Sequence, residues 1–281
     1  IEAHQTAIDF LSNGFKLRND FTEVNHSTHG TYIYMAFAEK PSTVPEKVKY
    51  NTSMKKRHSL YFNGSSHLNK TMSSGSKTRF TYSCWLKRSI MDSGDILWYA
   101  SNGVGYALIS FMNNQFRFYD VTNNSTGDDN ADVKSSHVFR DQSSFVHVVL
   151  SVNASEATLD RKVKIYVNGK LNPLDGSSFF NDTVLSTMNT NISTYIGNQS
   201  DVFYLNGNLS NVHFIDGAAC SADYFGKYEN GKWVAKEYEG SYGTNGFHLD
   251  FAPDNMEYNS SGNLTIVKDS SGNGNHWTAS T

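Results

Sequence analysis

The chain predicts an all-β protein, an antiparallel β-sandwich, and three observations carry that prediction. Residues 145–170, FVHVVLSVNASEATLDRKVKIYVNGK, hold the clearest pattern. Val146, Val148, Leu150 and Val152 alternate with Phe145, His147, Val149 and Ser151, and Val163, Ile165 and Val167 alternate with Lys162, Lys164 and Tyr166, the period of half-buried strands. Composition agrees: aromatic residues make up 14% and charged residues 18%, with Pro at 4, a balance of strand formers over helix formers. Short apolar runs also recur between Gly, Asn and Ser turns with almost no helical spacing.

Taken in order, residues 1–40 form a unit of their own, an N-terminal β-hairpin arm. Residues 7–18 (AIDFLSNGFKLR) and 31–39 (TYIYMAFAE) are strand-like around a polar loop, with Asn13-Gly14 a tight turn or bulge in the first run. The second run is apolar or aromatic throughout, so burial on both faces is expected. A hairpin of this size is marginal alone and must pack on the main domain or on a neighbouring chain. Residues 41–57 contain two prolines and no sustained period and read as a linker; the cluster Lys55, Lys56, Arg57 and His58 reads as its solvated end.

Residues 58–281 then form the sandwich domain, with strands predicted over 59–62, 80–87, 96–99, 106–112, 115–119, the 145–170 pair, 193–197, 212–215 and 247–251. Residues 153–161 are a polar connection, and Asn168-Gly169 is a positive-φ turn pair. Residues 221–225 suit one helical turn. Residues 225–243, rich in Tyr, Gly and Lys, read as an ordered loop over one edge, anchored by Trp233.

A net charge of −3 gives no electrostatic case for nucleic acid, and no apolar run is long enough for membrane insertion. Cys84 and Cys220 are too few for a disulfide framework and are expected as buried thiols. The sequon N-x-S/T occurs at Asn25, Asn51, Asn63, Asn69, Asn123, Asn124, Asn153, Asn181, Asn191, Asn198, Asn208, Asn259 and Asn263. Either these are N-glycosylation sites of a secreted protein or they reflect drift in an Asn-rich chain. The expected location is extracellular or a virion surface.

Several stretches resemble the laminin-G-like branch of the concanavalin A-like jelly rolls. Residues 59–71 (SLYFNGSSHLNKT) are similar to its opening strand, 80–89 (FTYSCWLKRS) to its tryptophan-bearing core strand, 145–170 to its central hairpin, and 204–226 (YLNGNLSNVHFIDGAACSADYFG) to its late strand and helical turn. A closer resemblance is to large marine bacteriophage structural proteins, tail fibres or adhesins, that carry this module followed by segments like SYGTNGFHLDF and DSSGNGNHWT. There, text like residues 8–41 ends a further domain, whereas here it comes first. In many laminin-G-like proteins a DSSGNGNH-like turn precedes the first sandwich strand, which implies a strand from 247–277 beside 59–62.

The resemblance implies a concanavalin A-like jelly roll and sets the chemistry to look for. The glucanase branch carries paired carboxylates on one strand, a motif absent here; Glu237 and Glu239 read as a solvated pair. No zinc-protease, nucleophile-elbow or phosphate-loop motif occurs, and His147 is expected to pack or hydrogen-bond, so no enzyme is expected. Calcium, which relatives bind at a rim, is the one cofactor considered. Asp128, Asp129 and Asp132 form either a calcium site or an acidic loop, and Asp269 with Asn273 and Asn275 is equally open. Glycan binding needs a ring for the sugar's C–H face beside amides and carboxylates. Trp98 and Tyr99 between Asp95 and Asn102 fit, as do Tyr119 and Asp120; alternatively Trp98 is core and Tyr99 its exposed neighbour. The leading expectation is a non-enzymatic structural subunit of a virion, fibre or filament, self-associating through residues 1–40. The alternative is a carbohydrate-binding adhesin, and a glycoside-processing enzyme comes last.

Overall fold

The computed structural model describes residues 8–11, 14–17, 57–91, 94–126, 128–175, 178–179, 185 and 187–280. The chain divides into two compact units, Ile1–Lys55 and Lys56–Thr281. In the first, strands Ile8–Leu11 and Gly14–Leu17 pair antiparallel, Ile8 opposite Leu17 and Leu11 opposite Gly14. The single strand-like run of 7–18 thus holds two paired strands; Asn13 of the expected Asn13-Gly14 turn lies outside the described residues. The run at 31–39 and all of the linker at 41–57 except its last residue lie outside the described residues.

The second unit is a sandwich of a 7-stranded and a 10-stranded antiparallel sheet. In the smaller sheet, Arg79–Arg88 lies between Val146–Asn153 and Asn206–Asp216. Val146–Asn153 pairs in turn with Val163–Val167 and that strand with Lys170–Asn172. The larger sheet runs from Ser178–Phe179 through Asp128–Val138, Gln115–Asn123, Tyr106–Met112, Ile96–Ser101, Ser193–Ile196, His67–Thr71 and Trp277–Ser280 to Leu264–Val267 and Met256–Tyr258. Phe80, Tyr82, Trp98, Phe118, Phe214, Phe247 and Trp277 meet between the sheets, all fully buried. Each such side chain stabilises the fold by about 1.5–3 kcal/mol relative to exposure.

The hairpin that suggested half-buried strands is buried on both faces over its first strand: Val148, Val149, Leu150 and Val152 are all inaccessible, and His147 and Ser151 nearly so. The outer face is covered by residues 220–246, where Cys220, Ala222, Phe225 and Tyr238 pack on Val149 and Ile215. That segment is not a loop throughout. After a 3-10 turn at Ala222–Tyr224, strands Gly226–Glu229 and Lys232–Ala235 pair around Asn230-Gly231. Both turn residues have positive φ, 50° and 76°, the conformation that an Asn-Gly pair favours in two-residue hairpins.

The C-terminal strands follow a different plan from the one the resemblance implies. Phe247–Leu249 pairs with Asn206–Asp216, along the same edge that Leu60–Asn63 occupies further up. The two strands therefore lie end to end on that edge rather than side by side. Trp277–Ser280 instead crosses to the larger sheet and pairs with His67–Thr71.

Between the smaller sheet and its cover sit buried histidines. His147 accepts a hydrogen bond at Nδ1 from Trp233 Nε1 (3.0 Å), which fixes the proton on Nε2, where the ring donates to Ser83 Oγ (2.9 Å). His213 stacks on His248 at 4.0 Å and shares a hydrogen bond with Tyr242. Burial drives the pKa of His147 down to about 3 and that of His213 well below its ordinary value. An unfolded chain binds these protons below about pH 6.5 while the fold does not, so stability is full above that pH and declines as pH falls toward 3. Unfolding in urea should show a loss of about 2 kcal/mol for His147 alone between pH 7 and 5, above the range where carboxylates titrate. A flat profile across that window would contradict the neutral, buried assignment.

Both cysteines are buried free thiols, and burial pushes the Cys84 thiol up to about 12. Neither is poised for chemistry at neutral pH.

Candidate functional site

Strand alternation sends Trp98 and Tyr99 to opposite faces of the larger sheet. Trp98 faces the core and is fully buried, so it has no face for a sugar and leaves the candidate set. Asp95, 2% exposed, is bound to Arg88 Nε at 2.6 Å. Asp120 is fully buried and accepts from Asn130 Nδ2 at 2.7 Å. Asn102 serves its own turn, where Oδ1 accepts the backbone N–H groups of Val104 and Gly105. Of the proposed glycan contacts only Tyr99 and Tyr119 come together; Tyr119 is half-buried, and Tyr99, expected as an exposed neighbour of Trp98, is only 8% exposed because it packs with Ile96 and Leu108.

They do so as part of a row that the strand register builds. Tyr195 lies opposite Asn69 on one side and Tyr99 on the other; Tyr99 lies opposite Leu108, Leu108 opposite Tyr119, and Tyr119 opposite Asp132. Tyr106 and His67, each two residues from a member of the row, share its face. Ring centroids are 5.7 Å apart for His67 and Tyr195, 6.4 Å for Tyr195 and Tyr99, 6.0 Å for Tyr99 and Tyr106, and 5.5 Å for Tyr106 and Tyr119. The outer face of the larger sheet thus carries a continuous aromatic strip. At one end the Arg117 guanidinium covers Tyr119 at 4.2 Å.

At the other end is a depression of about 370 Å³, lined by His67, Tyr99, Ser101, Tyr195, Asn198 and Asp201 among others. The hairpin of Asn198–Gln199 and Phe203–Tyr204 forms its wall. Its turn holds Ser200 and Asp201 at φ 49° and 57°, a left-handed conformation that costs non-glycine residues of the order of 1 kcal/mol each. Asn198 Nδ2 (2.8 Å) and Tyr204 Oη (3.1 Å) donate to Asp201 Oδ1, and these bonds hold the carboxyl below its usual range. Burial lowers the pKa of His67. At neutral pH the depression therefore presents a carboxylate and a neutral imidazole. Ser200 Oγ donates to the Tyr99 hydroxyl at 3.0 Å, tying the turn to the strip. Rings for apolar C–H faces beside a carboxylate, an amide and hydroxyls are the groups that bind a polyhydroxylated ring.

The calcium candidates fare differently. Asp128, Asp129 and Asp132 lie in the strand Asp128–Val138 rather than in a loop. The Asp132 carboxylate is taken by Arg117 at 2.7 Å and Lys134 at 3.1 Å, cations where calcium would have to bind. Asp269 accepts from the backbone N–H groups of His248, Ser271 and Asn275 and from the Ser271 hydroxyl, which fills a carboxylate's lone-pair sites. Asn273 and Asn275 donate to the carbonyls of Gly243, Thr244 and Gly246. This turn is a clip. Among the described residues no group of His, Cys, Asp and Glu is arranged to hold a metal ion.

Of the sequons, Asn25, Asn51 and Asn181 lie outside the described residues. Asn63, Asn124, Asn191, Asn259 and Asn263 are exposed, and Asn69, Asn123, Asn153 and Asn208 are half-buried. Asn198 is buried, with its amide nitrogen on Asp201, so the folded protein has no room for a glycan there. Among the described residues no helix is long and apolar enough to cross a membrane.

A β-sandwich with a strip of buried and half-buried rings and hydrogen-bonding groups on the outer face of one sheet belongs, by architecture, to the lectin-like class. The comparison with family models agrees: residues 62–223 match the Concanavalin A-like lectin/glucanases superfamily, and the chain belongs to that family. Residues 1–41 match a separate family, described as Domain of unknown function (DUF7483). A search of curated proteins finds no match. Similar solved structures include a candidate carbohydrate binding protein from Bacteroides ovatus, at 14% identity and TM-score 0.53 over 81% of this chain and 59% of that one. The native heptameric SAP-like pentraxin from Limulus polyphemus is similar at 13% identity and TM-score 0.41, over 58% and 77% of the two chains. Domains LG4-5 of the mouse laminin alpha1 chain give 12% and 0.41, over 69% and 48%. At such identities the likeness is one of fold.

Proposed function

We propose that the sandwich domain is a non-catalytic carbohydrate-binding module that takes a neutral sugar on the tyrosine strip, anchored at the depression beside Asp201. The observation that carries this reading is the register itself, which aligns Tyr195, Tyr99, Tyr106 and Tyr119 across adjacent strands and ends them at an ionised carboxylate whose Oδ2 has no partner among the described residues. The test is a screen of neutral oligosaccharides followed by calorimetry. Tyr195→Ala is expected to weaken binding of the best ligand at least about tenfold, or ~1.4 kcal/mol, and Asp201→Asn to do likewise. Affinity unchanged in both variants would refute the assignment.

A second reading, assembly of a virion, fibre or filament through residues 1–40, is favoured by the separate family match of residues 1–41 and by the division of the chain after Lys55. On that reading the sandwich is displayed by the arm. Removal of residues 1–40 should yield a monomer by light scattering with sugar affinity retained, and unchanged assembly would refute it.

A further inference from the structure

On the opposite side of the sandwich from the tyrosine strip, the smaller sheet carries a groove of about 600 Å³. Its walls are the Asn168-Gly169 turn with the strand Lys170–Asn172, and the hairpin of Gly226–Glu229 and Lys232–Ala235. The two walls are tied by a bond from the Tyr228 hydroxyl to the Asn168 carbonyl (3.0 Å). They are also pressed together by Trp233, which lies so close to Gly169 that a Cβ there would meet its ring at 2.5 Å. Trp85 lines the groove, stacked on His147 at 5.0 Å. Phe145, Leu171 and Tyr228 line it too and are 38%, 60% and 53% exposed, an unusual concentration of accessible apolar surface.

The hydrogen-bonding groups of this groove are one-sided. Trp85 Nε1 is buried with no partner. The amide oxygens of Asn168 and Asn172 accept from the backbone N–H groups of His147 (2.9 Å) and His137 (3.3 Å), which leaves both NH₂ groups unspent among the described residues. Lys170 and Lys232 add two ammonium groups, neither paired with a carboxylate among the described residues, and no Asp or Glu lines the groove. Donors without acid acceptors select an acceptor-rich anion, and the exposed rings select a ligand with flat apolar faces.

We propose that this groove is a second binding site, specific for an acidic saccharide, with carboxylate or sulfate groups held by Lys170, Lys232 and the amide NH₂ groups of Asn168 and Asn172 while the sugar rings lie against Tyr228 and Phe145. The site is independent of the tyrosine strip, whose carboxylate suits neutral sugars. The whole protein is titrated by calorimetry with tetragalacturonate, a sulfated galactose tetramer, neutral maltotetraose and tetraglutamate. One or both acidic sugars should bind at least tenfold more tightly than maltotetraose and tetraglutamate, and which of the two wins identifies the anionic group. Lys170→Gln with Lys232→Gln should weaken that binding at least tenfold with near-ultraviolet dichroism unchanged. Tyr228→Ala should also weaken it, and Tyr195→Ala should leave it intact. The proposal is overturned if neither acidic sugar binds, if tetraglutamate binds as tightly, or if the loss follows Tyr195→Ala rather than the lysine pair.

Discussion

Truncating Trp98 to alanine should lower the unfolding free energy by about 3–5 kcal/mol, although the sequence suggested this residue for sugar binding. Its indole is fully buried. It stacks on Phe214 at 4.8 Å and Phe247 at 6.2 Å and meets Trp277 and Tyr82 edge-on at 6.1 and 6.3 Å. Removing it leaves a cavity walled by rings that are themselves fixed by packing, so little collapse can offset the loss. Trp98→Phe should cost much less, because it keeps a ring in place and removes an indole N–H that has no partner. Urea midpoints at constant slope measure the difference. A sugar-binding Trp98 would behave in the opposite way, with affinity lost and stability kept.

Replacing Asp95 with alanine is expected to cost about 3–5 kcal/mol, the usual penalty for breaking a buried ion pair by removing one partner. Arg88 and Asp95 have side chains 2% and 3% exposed and meet at 2.6 Å. The guanidinium also donates to Asn114 Oδ1 and the Phe139 carbonyl and lies 4.7 Å over the Phe111 ring. Those contacts position the cation. The double variant Arg88→Met, Asp95→Leu should be more stable than Asp95→Ala alone, because it removes both charges of the pair from the interior. A single variant as stable as the parent protein would show that water or another group reaches Arg88.

What was legible in the sequence follows from the range of the interactions involved. Alternation over residues 145–170 and the turn at Asn168-Gly169 depend on neighbours in the chain, and both were readable. The Asn230-Gly231 hairpin had the same local signal, obscured by the surrounding Tyr, Gly and Lys. Burial of Val149 was not readable, since it depends on a cover supplied by residues 220–246, whereas His147, expected to pack or hydrogen-bond, does both. The candidate site was only half visible for the same reason. Tyr99 and Tyr119 were found as rings beside polar residues, yet their neighbours Asp95 and Asp120 turn inward. Tyr195, His67, Tyr106, Ser200 and Asp201 were missed, because only the pairing of strands distant in the chain puts Tyr195 beside Tyr99 and His67 beside Tyr195. Asp132 looked like a metal ligand because its partners Arg117 and Lys134 face it only once the strands are paired.

The strand Trp277–Ser280 sets the order in which this molecule can mature. It inserts between His67–Thr71 and Leu264–Val267, delivers Trp277 to the core, and bonds Ser280 to Asn69 across a separation of 211 positions. While a ribosome is still making the chain, the strand that holds His67 and Asn69 has an open edge and the core lacks a tryptophan. Closing so long a loop comes late and slowly, and until then an unpaired strand edge is available for wrong partners. The strand that carries His67, at one end of the tyrosine row, is thus flanked on both sides only after residues 277–280 have emerged.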